Sequence, residues 1–249
     1  MTPEELEKGY GAQLENCDMS NRTGATMATI GDQEKELFAE WRNEARERGF
    51  ICDGVVDEAT FLDQPCHFVF VLKETNQFGN ACDASLAKFL KDGAPKNGGH
   101  TWNPVCKWLT GTDRIFTQTE RKNILKSIAV INLKKEDGGT TTNMNALGKR
   151  VERDKEFLKR QLGIYIMHDP VVFICCGPWL LSMLKNNVMP LLSDHDSLDL
   201  HTNGSIRYIK PYSNRKVYFV AFNHPNCRKS SSTLIDEFKK IKALCNCCY

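Results

Sequence analysis

Apolar and polar positions along the chain alternate between two kinds of block. Short, nearly continuous apolar runs occur four times: "HFVFVLKE" (67–74), "SIAVINLKK" (127–135), "DPVVFICCG" (169–177) and "RKVYFVAFNHP" (215–225). Each has strand length, and unbroken apolar character indicates burial on both faces. Between them lie stretches with helical period. "DQEKELFAEWRNEARERGF" sets Leu37, Phe38, Trp41 and Ala45 on one face. "NALGKRVERDKEFLKRQLG" sets Leu147, Val151, Leu158 and Leu162 on another, with Gly163 as its expected cap. "GGHTWNPVCKWLTG" reads as a Gly-rich loop leading into a short helix, and "PWLLSMLKN" as a helix opened by Pro178. "SSSTLIDEFKKIKAL" closes the chain as a serine-capped helix facing inward through Leu234, Phe238 and Ile241.

Strands alternating with helices predict an α/β fold: three layers, α/β/α, around a central four-stranded, mostly parallel sheet. The sequence has no repeat and no obvious linker after residue 66. Residues 1–65 are expected to form an acidic, helical N-terminal extension packed on the same core, and 66–249 the α/β domain proper. The first thirty residues have no clear period.

Composition narrows the class. The 249 residues suit one large domain, and 41% hydrophobic with 26% charged residues is ordinary for a water-soluble protein. No apolar run reaches the length that spans a bilayer, and the start "MTPEELEKGYG" lacks a signal-peptide core. A cytoplasmic, monomeric protein without membrane contact is expected. Eleven cysteines, several inside apolar runs, are expected as free thiols in a reducing compartment. Cys245 and Cys248 form a lone Cys-x-x-Cys pair without a second pair, so neither a metal nor any other cofactor is expected.

The net charge of +2 conceals an asymmetry: residues 1–65 hold 6 Lys/Arg against 15 Asp/Glu, whereas 201–249 hold 9 against 2. A basic C-terminal part nominates a face for a polyanionic partner, although a solvated surface would account for it too.

In parallel α/β sheets, ligands bind beyond the carboxyl ends of the strands. The first strand ends in "KETNQFGN", with Glu74, Asn76 and Phe78; the second carries Asn132 inside an apolar run; the fourth ends in "NHPNCRKSSS", with His224, Arg228, Lys229 and Ser230. Taken singly, each has a structural explanation: a solvated strand end for Glu74, a buried cap for Asn132, a turn cap for His224. Their convergence on one rim makes a site.

In order and spacing these residues resemble the uracil-DNA glycosylase superfamily, nearer its mismatch-specific uracil/thymine branch. The likeness covers roughly residues 66–243. It rests on the strand followed by an acidic loop, on "HTWNPVCKWL" (similar to the Asn-x-Phe-Trp helix start), on a strand ending Ile-Asn-Leu, and on a strand ending His-Pro. The resemblance implies a DNA glycosylase fold and the hydrolysis of the N-glycosidic bond of a flipped-out uracil or modified pyrimidine. It gives Glu74 the role of the water-orienting acid, Asn132 that of reading the pyrimidine edge, and His224 that of binding the base carbonyl. Asn76, Asn103 and either Phe78 or Trp102 would line the base, and Arg228, Lys229 and Ser230 would hold phosphates. The partner implied is DNA.

Departures shape these expectations. Glu74 is one methylene longer than the family's Asp or Asn, and Thr75 replaces its proline. Asn76 replaces the tyrosine that excludes 5-methyl groups, which predicts tolerance of 5-substituted pyrimidines. "NHPNCRKSS" lacks the usual wedge after the histidine, which favours single-stranded or base-modified DNA. The alternative reading is a catalytically weak binding module of the same fold. A mononucleotide-binding flavodoxin-like domain would want a Ser/Thr/Gly-rich loop after the first strand, and "KETNQFGN" is a poor one.

Overall fold

In a computed structural model, residues 28–45, 49–76, 84–95, 99–139, 141–177, 179–193 and 198–245 are described. The chain runs through α1 (Ile30–Ala45), β1 (Gly54–Val55), α2 (Glu58–Leu62), β2 (His67–Leu72), β3 (Thr75–Asn76), α3 (Leu86–Lys91), α4 (Gly99–Thr110) and α5 (Gln118–Leu125). It continues with β4 (Ile128–Asn132), β5 (Asp137–Gly138), α6 (Met144–Arg153), α7 (Lys155–Ile166), β6 (Val171–Cys176) and α8 (Leu180–Asn187). The described chain closes with β7 (His201–Asn203), β8 (Ile206–Ile209), β9 (Val217–Phe222) and α9 (Ser231–Leu244).

The central sheet has seven strands in the order β1-β4-β2-β6-β9-β8-β7. Its middle four, β4, β2, β6 and β9, are parallel and correspond to the four apolar runs. The expected four-stranded sheet therefore needs correction: antiparallel strands β1 on one edge and β8 and β7 on the other extend it. Those three escape a periodicity reading because they are two to four residues long, and β7 is exposed throughout. β3 and β5 form a separate two-stranded ribbon.

Every residue of β2, β4 and β6 is buried, because helices cover both faces. On one face Val69, Val71, Ala129, Ile131, Phe173 and Phe219 meet α1, α6, α7 and α8. On the other, Phe70, Val130, Ile174 and Val220 meet α3, α4, α5 and α9. Phe173 and Phe219 stack 4.3 Å apart across neighbouring strands, and Trp108, Phe222 and Phe238 cluster on the opposite face. Each fully buried side chain of this kind contributes about 1.5–3 kcal/mol.

The single helix expected over 145–163 is two, parted at Asp154, and Gly163 lies inside α7 rather than capping it. Ile164, Tyr165 and Ile166 carry on the buried face past the glycine, and this burial outweighs the roughly 1 kcal/mol that Gly costs a helix. α1 packs on the sheet through Ile30, Leu37, Phe38 and Trp41. Pro178 lies outside the described residues. Cys66 is disulfide-bonded, contrary to the expectation of thiols throughout, whereas Cys52, Cys106, Cys175, Cys176, Cys227 and Cys245 are free. No helix among the described residues is long and apolar enough to cross a membrane.

Candidate functional site

In chain order the parallel strands lie second, first, third, fourth across the sheet, so the topological switch falls between β2 and β6. The rim there consists of Lys73–Asn76 after β2, Asn132–Lys134 ending β4, Gly177 after β6 and Asn223–His224 after β9. β4 and β9 are three strand spacings apart, roughly 14 Å.

Asn132 is the most informative member. It is 2% exposed and pairs in register with Leu72 at the end of β2. By strand alternation it shares the face of Ile128 and Val130, which belong to the α4 and α9 layer, as does Leu72. Neither its amide nitrogen nor its amide oxygen has a hydrogen-bond partner among the described residues, and the same holds for the Thr75 hydroxyl nearby in the chain. A buried polar group left so costs about 1–3 kcal/mol. A protein that carries this cost at the carboxyl end of a central strand carries it where a ligand can repay it.

The backbone beneath Asn132 is held firmly. Its N–H donates to Asp53 Oδ2 at 2.6 Å. Asp53 in turn accepts from Lys135 Nζ at 2.8 and 2.7 Å and from Gln161 Nε2 at 2.8 Å, while Lys135 also donates to Gln161 Oε1 at 2.8 Å. The Lys135 ammonium lies 5.4 Å from the Phe38 ring centre and 5.0 Å from that of Trp41. Burial pushes its pKa down, against the pull of Asp53. This network ties the segment before β1, the end of β4 and α7 together.

Glu74 is clamped rather than open. Lys134 Nζ donates to its Oε2 at 2.8 Å and to the Asp137 carbonyl at 3.0 Å, and the Glu74 side chain is 8% exposed. The carboxylate rests on Gly138, where a Cβ would come within 2.4 Å of it, so β5 needs glycine there. Thr75 and Asn76 pair with Asp137 and Gly138, and Asn76 is exposed at the end of β3.

His224 is half-buried. The Asn226 N–H donates to its Nδ1 at 3.2 Å, which makes Nδ1 the acceptor and leaves the proton of the neutral ring on Nε2. Burial, and then the Lys73 charge, hold its pKa below the usual histidine value. The ring is therefore a neutral N–H donor. Its loop is fixed by the Cys227 N–H bonding to the His224 carbonyl at 2.9 Å and by Asn226 Nδ2 donating to Thr101 Oγ1 in α4 at 3.2 Å.

The remaining predicted residues divide. Trp102 is 4% exposed, packed inside the same layer as Leu72. Asn103 Oδ1 accepts from the Phe116 N–H at 3.1 Å and braces the segment that follows α4. Lys229 pairs with Glu237 at 2.6 Å, and Ser230 caps α9 by accepting from the Thr233 N–H at 3.3 Å. Arg228 is exposed on the same turn. Phe78 and Cys248 lie outside the described residues. Sequence reasoning missed Lys73, noted Thr75 only as standing where the family has proline, and missed Asp53. The first two were legible as polar residues at a strand's end, whereas Asp53 belongs to a segment whose approach to β4 no local pattern reveals.

Asp53 also lines a cavity of about 340 Å³ on the α1 side, with Glu34, Phe38, Arg42 and Cys52. Among the described residues no three His, Cys, Asp or Glu side chains gather as a metal site would require. No protein-family model matches the sequence, and no curated protein matches it either.

Proposed function

We propose that the chain is a DNA glycosylase-like hydrolase of the uracil-DNA glycosylase superfamily. It acts as a monomer on single-stranded or base-modified DNA and cleaves the N-glycosidic bond of a flipped-out uracil or modified pyrimidine. The observation that carries this reading is the buried Asn132 amide, which has no hydrogen-bond partner among the described residues. One acceptor oxygen and one donor NH₂ side by side match a pyrimidine edge that offers a ring N–H next to a carbonyl. Flipping the base out costs a few kcal/mol, and pairing this amide offsets part of that.

The chemistry follows from the rim. The bond from base nitrogen to C1′ breaks with its electron pair leaving on the base; water supplies the hydroxyl that C1′ gains, and its remaining proton ends on the departed base. The negative charge collects on the base oxygens. A neutral His224 with its proton on Nε2 supplies a fixed donor to one of them, an effect worth on the order of 3 kcal/mol. Glu74 stabilises the positive sugar through its field, although Lys134 shares its charge.

The Glu74–Lys134 pair also favours a second reading, a catalytically weak module that recognises a modified base without cleaving it. Alkali cleavage of end-labelled oligonucleotides separates the two. The panel carries uracil, 5-hydroxymethyluracil, hypoxanthine or a modified cytosine, singly, in single strands and in duplexes. An abasic break that is lost in His224→Ala and Asn132→Leu establishes the glycosylase. Retained binding with no break at any base establishes the module.

A further inference from the structure

Four tryptophans occur in the sequence, and three are buried: Trp41, Trp102 and Trp108 are 1%, 4% and 1% exposed. Trp179 is 64% exposed. It stands two residues past Gly177, at the N-cap of α8, so its backbone lies beside the rim, next to the end of β6. An indole left in water there gives up the burial that would stabilise the fold. A small groove lies between α8 and the edge of the sheet, lined by Leu181, Ser182, Lys185, Leu200, Arg207 and Ile209. Trp179 neighbours Ser182, three residues on, and Ser182 neighbours Lys185, so the indole borders the groove through Ser182. Leu200 is 48% exposed, and Arg207 projects from β8 toward the same groove.

An exposed aromatic, an apolar floor and two cations on opposite banks match what single-stranded nucleic acid requires: a face for an unstacked base and positive charge for the phosphates. A duplex keeps its bases stacked and has no use for a lone indole. From Trp179 to Lys185 the helix rises about 9 Å, the length of a short stretch of single strand. We infer that this groove is the track for the single strand flanking the base held at the rim, with a base stacked on Trp179 and phosphates against Lys185 and Arg207. The inference rests on the nucleic-acid reading of the rim and adds the strand's path and its stacking residue. Asp199, exposed beside Leu200, is the one described acid of that connection and opposes the phosphates.

The tryptophan distribution supplies the assay. Only Trp179 is open to a collisional quencher, so iodide quenching of the protein's fluorescence reports on this groove. An undamaged 12-nucleotide single strand should shield the quenchable emission, and Trp179→Phe should abolish that emission. Trp179→Ala should weaken binding of the same strand tenfold or more. Lys185→Glu and Arg207→Glu should each weaken binding and lower the slope of log affinity against log salt by about one or more. Asp199→Asn should strengthen binding. Equal quenching of Trp179 with and without saturating strand overturns the inference, as does shielding of the same strength by polyglutamate, which would mark an acidic-peptide site. The outcomes separate from those of the rim chemistry. Base excision without shielding of Trp179 removes the groove and leaves the glycosylase. Shielding by undamaged strand in a protein that excises no base keeps the groove and removes the glycosylase.

Discussion

Glu34, in the second turn of α1, is fully buried, and its carboxyl lies between two donors: the Tyr165 hydroxyl bonds to Oε1, and the Val55 N–H donates to Oε2 at 3.1 Å. Gly54, at φ +110°, leaves the carboxylate its space, since a Cβ there would come within 2.1 Å of it. Burial raises the Glu34 pKa to about 7 from the ordinary 4.5; the two hydrogen bonds oppose the rise, and Asp53 adds to it. A shift of that size corresponds to about 3 kcal/mol between the two protonation states. Between pH 4.5 and 7 the native state binds more protons than the unfolded chain, so unfolding free energy falls as pH rises. The contribution of Glu34 is whole below pH 4.5 and has been lost once pH passes about 7. Glu34→Gln resembles the protonated carboxyl: its Oε1 can accept from Val55, and its NH₂ can donate to the tyrosine oxygen. Urea unfolding of both proteins at a series of pH values gives the difference directly. His168 and His224, with pKa values lowered by burial, slope the other way, but they do so equally in both proteins and cancel. The two should be nearly equal at pH 4.5, and Glu34→Gln should be more stable by about 3 kcal/mol at pH 8. For a chain of this size that is roughly 6–12 °C in Tm. Parallel curves across the window, or a wild type that gains on the variant as pH rises, would refute the reasoning.

Further outcomes follow from the same geometry. Asn132→Leu removes two polar atoms that have no partner among the described residues, so it should leave stability unchanged or raise it by about 1–3 kcal/mol while abolishing base recognition; a clear loss of stability by urea unfolding would mean the amide has a structural partner. Lys135→Met strands the Asp53 charge in the core and should cost about 3–5 kcal/mol, with much of it recovered in Asp53→Asn/Lys135→Met; a single-variant cost below 1 kcal/mol would refute the network's role. Lys134→Ala unclamps Glu74, so an excision rate unchanged in the variant would exclude Glu74 from the chemistry. Asn76→Tyr should reduce excision or binding of 5-substituted uracils relative to uracil, and equal loss of both would exclude a role for that position in selectivity.

The four parallel strands were legible because burial on both faces writes itself into a strand as an unbroken apolar run, and β2, β4, β6 and β9 are such runs. The edges were not, since β1 and β7 are too short to carry a pattern and take their conformation from the neighbour they pair with. Asn132 and His224 could be singled out because a polar residue contradicts its surroundings at a strand's end. The Lys134 clamp on Glu74 was hidden: it depends on the β3–β5 ribbon, whose strands are two residues each. Lys229 and Ser230 look like phosphate ligands in a string of letters, but Glu237 and the first turn of α9 engage them.

The rim draws one segment from each of the four parallel strands, and those segments are spread from Lys73 to His224. This sets an order in time as well as in space. During synthesis β2 and β4 can pair, and β6 can join them, yet nothing faces Lys73 from the far side until β9 has been made and has docked on β6. Contacts of such sequence separation form late and slowly. The same strand then receives β8 as an antiparallel partner, so the final docking completes the rim and the groove edge in a single event. A chain halted before that event can possess most of its core and have no site at all.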